Sequence, residues 1–331
     1  MAPQTRYARN GDVSIAYETF GDLDSGEPLL LIMGLDFQMV WWPEAFCDQL
    51  VAAGFAVVRF DNRDTGLSTH FDSPTKQSPW RALLGATKPA YTSSDMLNDA
   101  AAVLDAVGWT SAHVMGGSMG AALAQAMALL HPHRVRSLIS CMGLPATAGP
   151  LRTLTYLRFG IFPTLMTLKP ATTRDEEIHN LVTIYRAIAS PGFPFPEDWA
   201  REVAGISYDR GPRDPRTTQR HLAAGRAVRL PPLSTITAPT LVISGEDDPL
   251  VKAAGGRDTA RQIPGSTFVS YPGMGHNLPQ ELWPELITRI RTTGSHEIPT
   301  RDAGATHCSS FQLASASEDE DLHGLVQGGG P

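Results

Sequence analysis

Short apolar runs alternate with stretches of helical spacing along much of the chain. Pro28 opens the run Leu29-Leu30-Leu31-Ile32-Met33, which ends at Gly34. A run so short and so continuously apolar predicts a strand covered on both faces, as in a parallel sheet. Over residues 43–53 the apolar positions Phe46, Leu50 and Val51 follow helical spacing, and Gly54 supplies the expected C-cap. Further strands are predicted over 55–60, 112–115 and 137–142, with helices over 94–107, closed by Gly108, and over the Ala-rich 119–130. Two alternating segments, 5–9 and 13–20, precede all of these and flank an Asn10-Gly11 turn, the signal of a hairpin. Strand–helix alternation implies right-handed crossovers, so the sheet is expected to be mostly parallel with an antiparallel start.

The rhythm stops at Pro145. From there to Leu233 the chain is rich in Arg and Pro, with apolar residues at helical spacing such as Leu181, Ile184, Tyr185 and Ile188. This predicts a helical insertion. Strands resume over 240–244 and 267–271, and an amphipathic helix follows over 280–291. Beyond Thr292 the chain offers Ser, Gly and the acidic cluster Glu318-Asp319-Glu320-Asp321, with little to bury, so a disordered tail is expected. The expected organisation is an α/β core over 1–144 and 234–293, a helical cap over 145–233 and a tail over 294–331, with eight strands in one sheet.

Composition narrows the class of protein. With 331 residues, 42% of them hydrophobic, the chain can bury one large core or two modest ones. A net charge of −7 and the absence of a dense Lys/Arg cluster argue against a nucleic-acid partner. No apolar run approaches the roughly 20 residues of a membrane-spanning helix. With no signal-like segment either, a cytoplasmic location is expected. Cys47, Cys141 and Cys308 are far apart and unpaired by spacing, which suits free thiols, the first two as small core residues. His131 and His133 flank Pro132 without further candidate ligands, so no metal is expected.

The chemistry centres on Gly116-Gly117-Ser118-Met119-Gly120. A Gly-x-Ser-x-Gly match arises by chance on the order of 0.2 times in such a chain, so its setting must carry the weight. That setting is a strand before it and a helix after it. A sharp turn between the two lifts the serine hydroxyl above the sheet edge, and small neighbours are needed where a Cβ would collide. The helix N-terminus also favours the negative charge that develops during attack. A dinucleotide fingerprint would need glycines at Ser118 and Ala121 and an acid ending strand 137–142, and this chain lacks all three.

A serine hydroxyl needs a base, and the base a carboxylate. Behind such an elbow these follow in the order acid then histidine, each after a late strand. Gly245-Glu246-Asp247-Asp248-Pro249 follows strand 240–244, and Pro272-Gly273-Met274-Gly275-His276 follows strand 267–271. His276 is therefore the candidate base. Asp248, held extended by the proline after it, is the candidate acid, with Asp247 as the alternative. Oxyanion donors are expected at the N–H of Met119 and, across the turn allowed by Gly34, the N–H of Leu35.

Together these residues resemble the α/β-hydrolase superfamily over roughly residues 5–292. Met33-Gly34, the run from Asp61 to Ser68, Gly117-Ser118-Met119-Gly120 and Pro272 to His276 look most like the aclacinomycin methylesterase group of actinobacterial hydrolases. Many relatives carry His-Gly where this chain has Met33-Gly34, so a side-chain role for a histidine there is lost while the backbone donor survives. The resemblance implies an α/β-hydrolase fold and a serine hydrolase cleaving a carboxylic ester, a methyl ester being one option, of a small hydrophobic molecule through Ser118, His276 and Asp248. It implies no cofactor, and Asp61 and Arg63 as braces beside the site. Gly34, Trp41 and Trp42 are the expected substrate-binding residues. Phe37, Met39 and apolar cap residues (Leu154, Tyr156, Leu157, Phe159, Phe162, Leu165, Met166) are candidates for the pocket, at least half of them expected as packing. Cofactor-free haloperoxidase or carbon–carbon bond hydrolysis on the same triad stays open, as does a non-catalytic ligand-binding protein. Removing the residues after Thr293 is expected to leave turnover of a p-nitrophenyl ester near that of the full chain, and a large loss would show that the tail serves the site.

Overall fold

The N-terminal hairpin joins β1 (Arg6–Asn10) to β2 (Val13–Phe20). Asn10 pairs with Val13, so the two loop residues are Gly11 and Asp12, one position later than the Asn10-Gly11 turn expected. Gly11 takes the left-handed backbone, φ +57°, at no steric cost. The structure is a computed structural model and describes residues 3–71, 89–211, 213–214, 216–225 and 228–294. Residues 295–331 of the expected tail, including Cys308, lie outside the described residues.

Six more strands follow: β3 (Glu27–Ile32), β4 (Phe55–Phe60), β5 (Ala112–Gly117), β6 (Val135–Cys141), β7 (Thr240–Gly245) and β8 (Thr267–Tyr271). All eight form one sheet in the order β1-β2-β4-β3-β5-β6-β7-β8. β2 pairs antiparallel with both its neighbours and every other pairing is parallel. This is the α/β-hydrolase fold.

The continuous apolar runs work because successive side chains leave opposite faces. Leu30 and Ile32 join α2 (Ser93–Ala106) and α3 (Met119–Leu130) in one core. Leu29 and Leu31 join α1 (Glu44–Ala52) and α10 (Trp283–Gly294) in the other. Cys47 and Cys141 are buried free thiols in that second core. The last helix starts at Trp283, later than the pattern suggested, after a single tight turn at Gln280–Leu282. Pro284 then falls in its first turn, where a missing N–H costs nothing.

Between β6 and β7 the chain passes through α4 (Pro150–Tyr156), α5 (Phe162–Thr167), α6 (Arg174–Ile188), α7 (Glu197–Arg210) and α8 (Thr217–Ala224). Thr173 and Glu176 form a reciprocal capping box that starts α6. Leu181 and Val182 on α6 pack against Ala200, Val203 and Ala204 on α7, over Met39, Val40 and Trp41. After β7, α9 (Ala253–Gln262) leads to β8. Among the described residues no helix is long and apolar enough to cross a membrane.

A buried ion pair ties β2 to β4. Arg59 Nη2 lies 2.6 Å from Glu18 Oε2, and both residues are almost fully enclosed. Arg59 also donates to the carbonyl of Trp42, and Arg210 at the end of α7 reaches Glu18 Oε1 at 3.2 Å. Glu18→Ala leaves Arg59 enclosed without its principal counter-charge, a change that costs about 3–5 kcal/mol. Urea unfolding is expected to show the midpoint falling accordingly.

Candidate active site

β5 runs to Gly117 and α3 begins at Met119, which leaves Ser118 alone to make the turn. Its backbone sits at φ 56°, ψ −118°, a conformation non-glycine residues rarely adopt. The neighbours explain how this is held. A Cβ at Gly116 would fall 2.0 Å from the carbonyl oxygen of Gly120, and one at Gly120 would fall 2.1 Å from that of Ile32. Strand, turn and helix thus pass in backbone contact. Ser118 N–H donates to the carbonyl of Cys141 at 2.9 Å, which ties the turn to β6.

Of the three acids after β7, Asp248 faces inward and Glu246 and Asp247 face solvent. Asp248 Oδ1 accepts the N–H groups of Leu250 and Val251 at 2.7 and 2.9 Å, closing a tight turn on its own side chain. Asp248 Oδ2 then stands 2.6 Å from His276 Nδ1. Asp247 has a different duty, accepting the N–H of Gly273 at 2.8 Å and so bracing the loop that carries the histidine.

His276 is 8% exposed, and its N–H donates to the carbonyl of Ile188, the last residue of α6, at 2.8 Å. Gly275 is required there, because a Cβ would lie 2.3 Å from the carbonyl oxygen of Ala189. Ser190 completes the clamp, accepting from Gly275 N–H and donating to Asn277 Oδ1. With Nδ1 engaged by Asp248, Nε2 is the nitrogen left for a proton in flight. Ser118 and His276 line one cavity, although no hydrogen bond joins their side chains in this structure. Such bonds commonly tighten only once substrate is bound.

The strand-end loop lies against the Ser118 turn. A Cβ at Gly34 would approach Ser118 Cβ to 3.1 Å and the carbonyl of Gly117 to 3.3 Å, so the backbone leading to Leu35 passes directly over the serine. Asn62 Nδ2 grips the carbonyl of Met33 at 3.0 Å, and Asp61 Oδ1 accepts the N–H of Met39 at 2.7 Å. Arg63 pairs with Asp99 at 2.6 Å. Met119 opens α3, where the first N–H groups have no partner within the helix.

The cavity measures about 380 Å³ and is walled largely by apolar side chains. Gly34, Trp41 and Trp42 line it, as do Phe37 and Leu35, whereas Met39 is fully buried in the core beneath. Trp41 is also a packing residue, its Nε1 donating to Ser207 Oγ at 3.0 Å and its ring meeting Phe37, Tyr185 and Trp199. From the insertion, Ile161, Leu165, Ile184, Tyr185 and Ile188 reach the cavity. Most of the cap residues proposed from sequence do not. Tyr156 instead bonds Asp258, and Phe159 and Met166 are exposed. Burial pushes the Tyr185 phenol up to about 12, so it stays protonated in the wall. Four polar wall residues escaped the sequence reading: Asp36, Arg213, Thr218 and Asn277.

A strained serine at the carboxyl edge of a mostly parallel sheet, with a histidine–aspartate pair beyond two later strands, defines a hydrolase of the α/β class. Residues 27–280 match the alpha/beta hydrolase fold family, and the chain belongs to it. It is 31% identical over 314 residues to the rhodomycin D methylesterase DnrP of Streptomyces peucetius, covering 86% of this chain and 96% of that protein. The rhodomycin D methylesterase DauP of Streptomyces sp. strain C5 is 30% identical, with the same coverages. Among solved structures, the esterase RhEst1 from Rhodococcus sp. ECU1013 superposes with a TM-score of 0.64 at 21% identity, covering 88% of this chain and 98% of that one. The enol-lactonase from Burkholderia xenovorans LB400 gives 0.61 at 22% identity, covering 87% and 99%.

The unequal roles of the two aspartates can be tested. Asp248→Asn is expected to cut kcat by about 10⁴-fold, since the histidine loses the partner that sets its tautomer. Asp247→Asn keeps an acceptor for Gly273 and is expected to leave kcat near the parent value. Steady-state kinetics on a p-nitrophenyl ester compares them.

Proposed function

We propose that this carboxylic ester hydrolase works through Ser118, His276 and Asp248, by way of an acyl-enzyme. The observation that carries the reading is the meeting of two features in one apolar cavity: the strained Ser118 turn and the His276–Asp248 pair. His276 Nε2 takes the Ser118 proton as Oγ bonds to the ester carbonyl carbon. The carbonyl π electrons move onto oxygen, where the N–H groups of Met119 and Leu35 receive the charge. Collapse breaks the ester C–O bond, and the departing alkoxide takes the proton from His276. Water then enters, gives a proton to His276 and attacks the acyl carbon. The second collapse releases the acid and returns the proton to Ser118. Asp248 accepts from His276 Nδ1 and holds the imidazolium in place.

The cavity walls support a substrate class. A cavity of about 380 Å³ lined by Trp41, Trp42, Ile184 and Ile188 suits a compact apolar or aromatic acyl body with a small alcohol portion. The methylesterase relatives support a methyl ester. Treatment with a fluorophosphonate is expected to label Ser118, located by mass spectrometry of the modified peptide. Ser118→Ala is expected to stay folded and lose ester hydrolysis, and undiminished turnover would refute the reading.

A further inference from the structure

Among the described residues, four that are not glycine hold a left-handed backbone: Asp36, Asp64, Ser118 and Met142. Such conformations persist only where surrounding contacts enforce them, and they gather at working sites. Ser118 is the proposed nucleophile, and Met142 lines the cavity beside it. Asp36 and Asp64 have no part in the mechanism above, yet they are joined through one short helix.

Asp36 directly follows Leu35, the expected oxyanion donor, at φ +65°. Its carboxylate is held from the far side of the cavity. Thr218 Oγ1 donates to Asp36 Oδ2 at 2.9 Å, and Arg213 Nε lies 3.1 Å from the same oxygen. Thr218 belongs to α8, which is itself tethered. Thr217 Oγ1 donates to the carbonyl of Asp64 at 3.0 Å. Arg220 forks onto both carboxylate oxygens of Asp64 at 2.7 and 3.1 Å, and His221 Nε2 bonds the carbonyl of Arg63 at 2.9 Å. α8 is thus pinned to the 61–68 loop and presents Thr218 from a fixed point. That loop also grips the oxyanion strand end through Asn62 and Asp61. The turn from Met33 to Met39 is therefore anchored before Leu35, after it, and at the residue next to it.

We propose that Asp36 is a positioning residue: clamped by Thr218 and Arg213, it holds the Gly34-Leu35-Asp36 turn so that the Leu35 N–H points at the developing oxyanion. The inference rests on the serine-hydrolase reading of this site. Loss of one preorganised oxyanion donor costs about 10²–10³ in kcat. A turn that keeps the donor but releases its anchor loses part of that.

Three substitutions at position 36 separate the clamp from the backbone requirement. Asp36→Gly keeps the left-handed freedom and removes the carboxylate. Asp36→Asn keeps both an acceptor oxygen and tolerance of positive φ. Asp36→Ala loses both. On a p-nitrophenyl ester, Asp36→Gly is expected to lower kcat about tenfold or more with KM little changed. Asp36→Ala is expected to fall at least as far, and Asp36→Asn to recover most of the loss. Affinity for a boronic acid, whose tetrahedral serine adduct places an oxygen in the hole, is expected to fall in parallel with kcat.

Thr218→Val removes the donor from the other side, and serves if a position-36 variant does not fold. It is expected to lower kcat alone and to add nothing in the Asp36→Gly background. Asp36→Gly with parental kcat and boronate affinity would overturn the proposal. So would a rise in KM alone, or equal kcat for the Gly and Asn variants. If the parent protein turns over no ester and Ser118 resists the fluorophosphonate, it is the serine-hydrolase reading that has failed.

Discussion

The site depends on how closely three backbones approach beneath Ser118. The end of β3, the turn after β5 and the first turn of α3 pass so near one another that side chains at Gly116 and Gly120 would overlap carbonyl groups. This crowding leaves the serine no relaxed conformation, because any other path for its backbone would part the helix from the sheet. The positive φ of Ser118 is thus a consequence of packing. It sets the hydroxyl at the carboxyl edge of the sheet and the start of α3 directly behind it. The same approach brings Gly34, the residue before Leu35, against the serine.

The other members of the site are placed by short-range hydrogen bonding on loops that the sheet only roughly positions. Asp248 folds its loop around one carboxylate oxygen and turns the other to His276. The loop carrying His276 is fixed from two directions, by Asp247 beneath it and by the end of α6 above it. The insertion therefore does more than roof the cavity. By accepting the His276 N–H at Ile188, it contributes to the position of the proposed base.

Carboxylates on core loops meet arginines from the segment ending α7 and entering α8: Asp61 with Arg210, Asp36 with Arg213, and Asp64 with Arg220. Enclosed pairs of this kind add little net stability, because desolvation offsets their attraction, but misaligned versions leave charges unpaired. Their value lies in register. They allow the insertion to seat on the core in one way, with Thr218 opposite Asp36 and Ile188 over the histidine loop.

Much of this was legible from one sequence. Apolar runs of five or six residues bounded by turn signals read as strands covered on both faces, so the order of strands and helices and the elbow at Ser118 follow from periodicity, run length and glycine spacing. The order of acid and histidine after late strands pointed to the acidic loop at 246–248 and to His276 for the same reason, and Pro249 favoured Asp248 over Asp247. Tertiary structure decided which acid turns inward, because the choice rests on the amides of Leu250 and Val251 and on a ring 28 residues away. It decided which apolar residues of the insertion face the cavity, sending Ile184 and Ile188 there and leaving Met166 in solvent. It also decided the partnership of Asp36 with Thr218, 182 positions apart, which leaves no periodic trace. A pattern records the face a residue shares with near neighbours. Contacts made by a single side chain across the fold depend on where two distant elements come to rest.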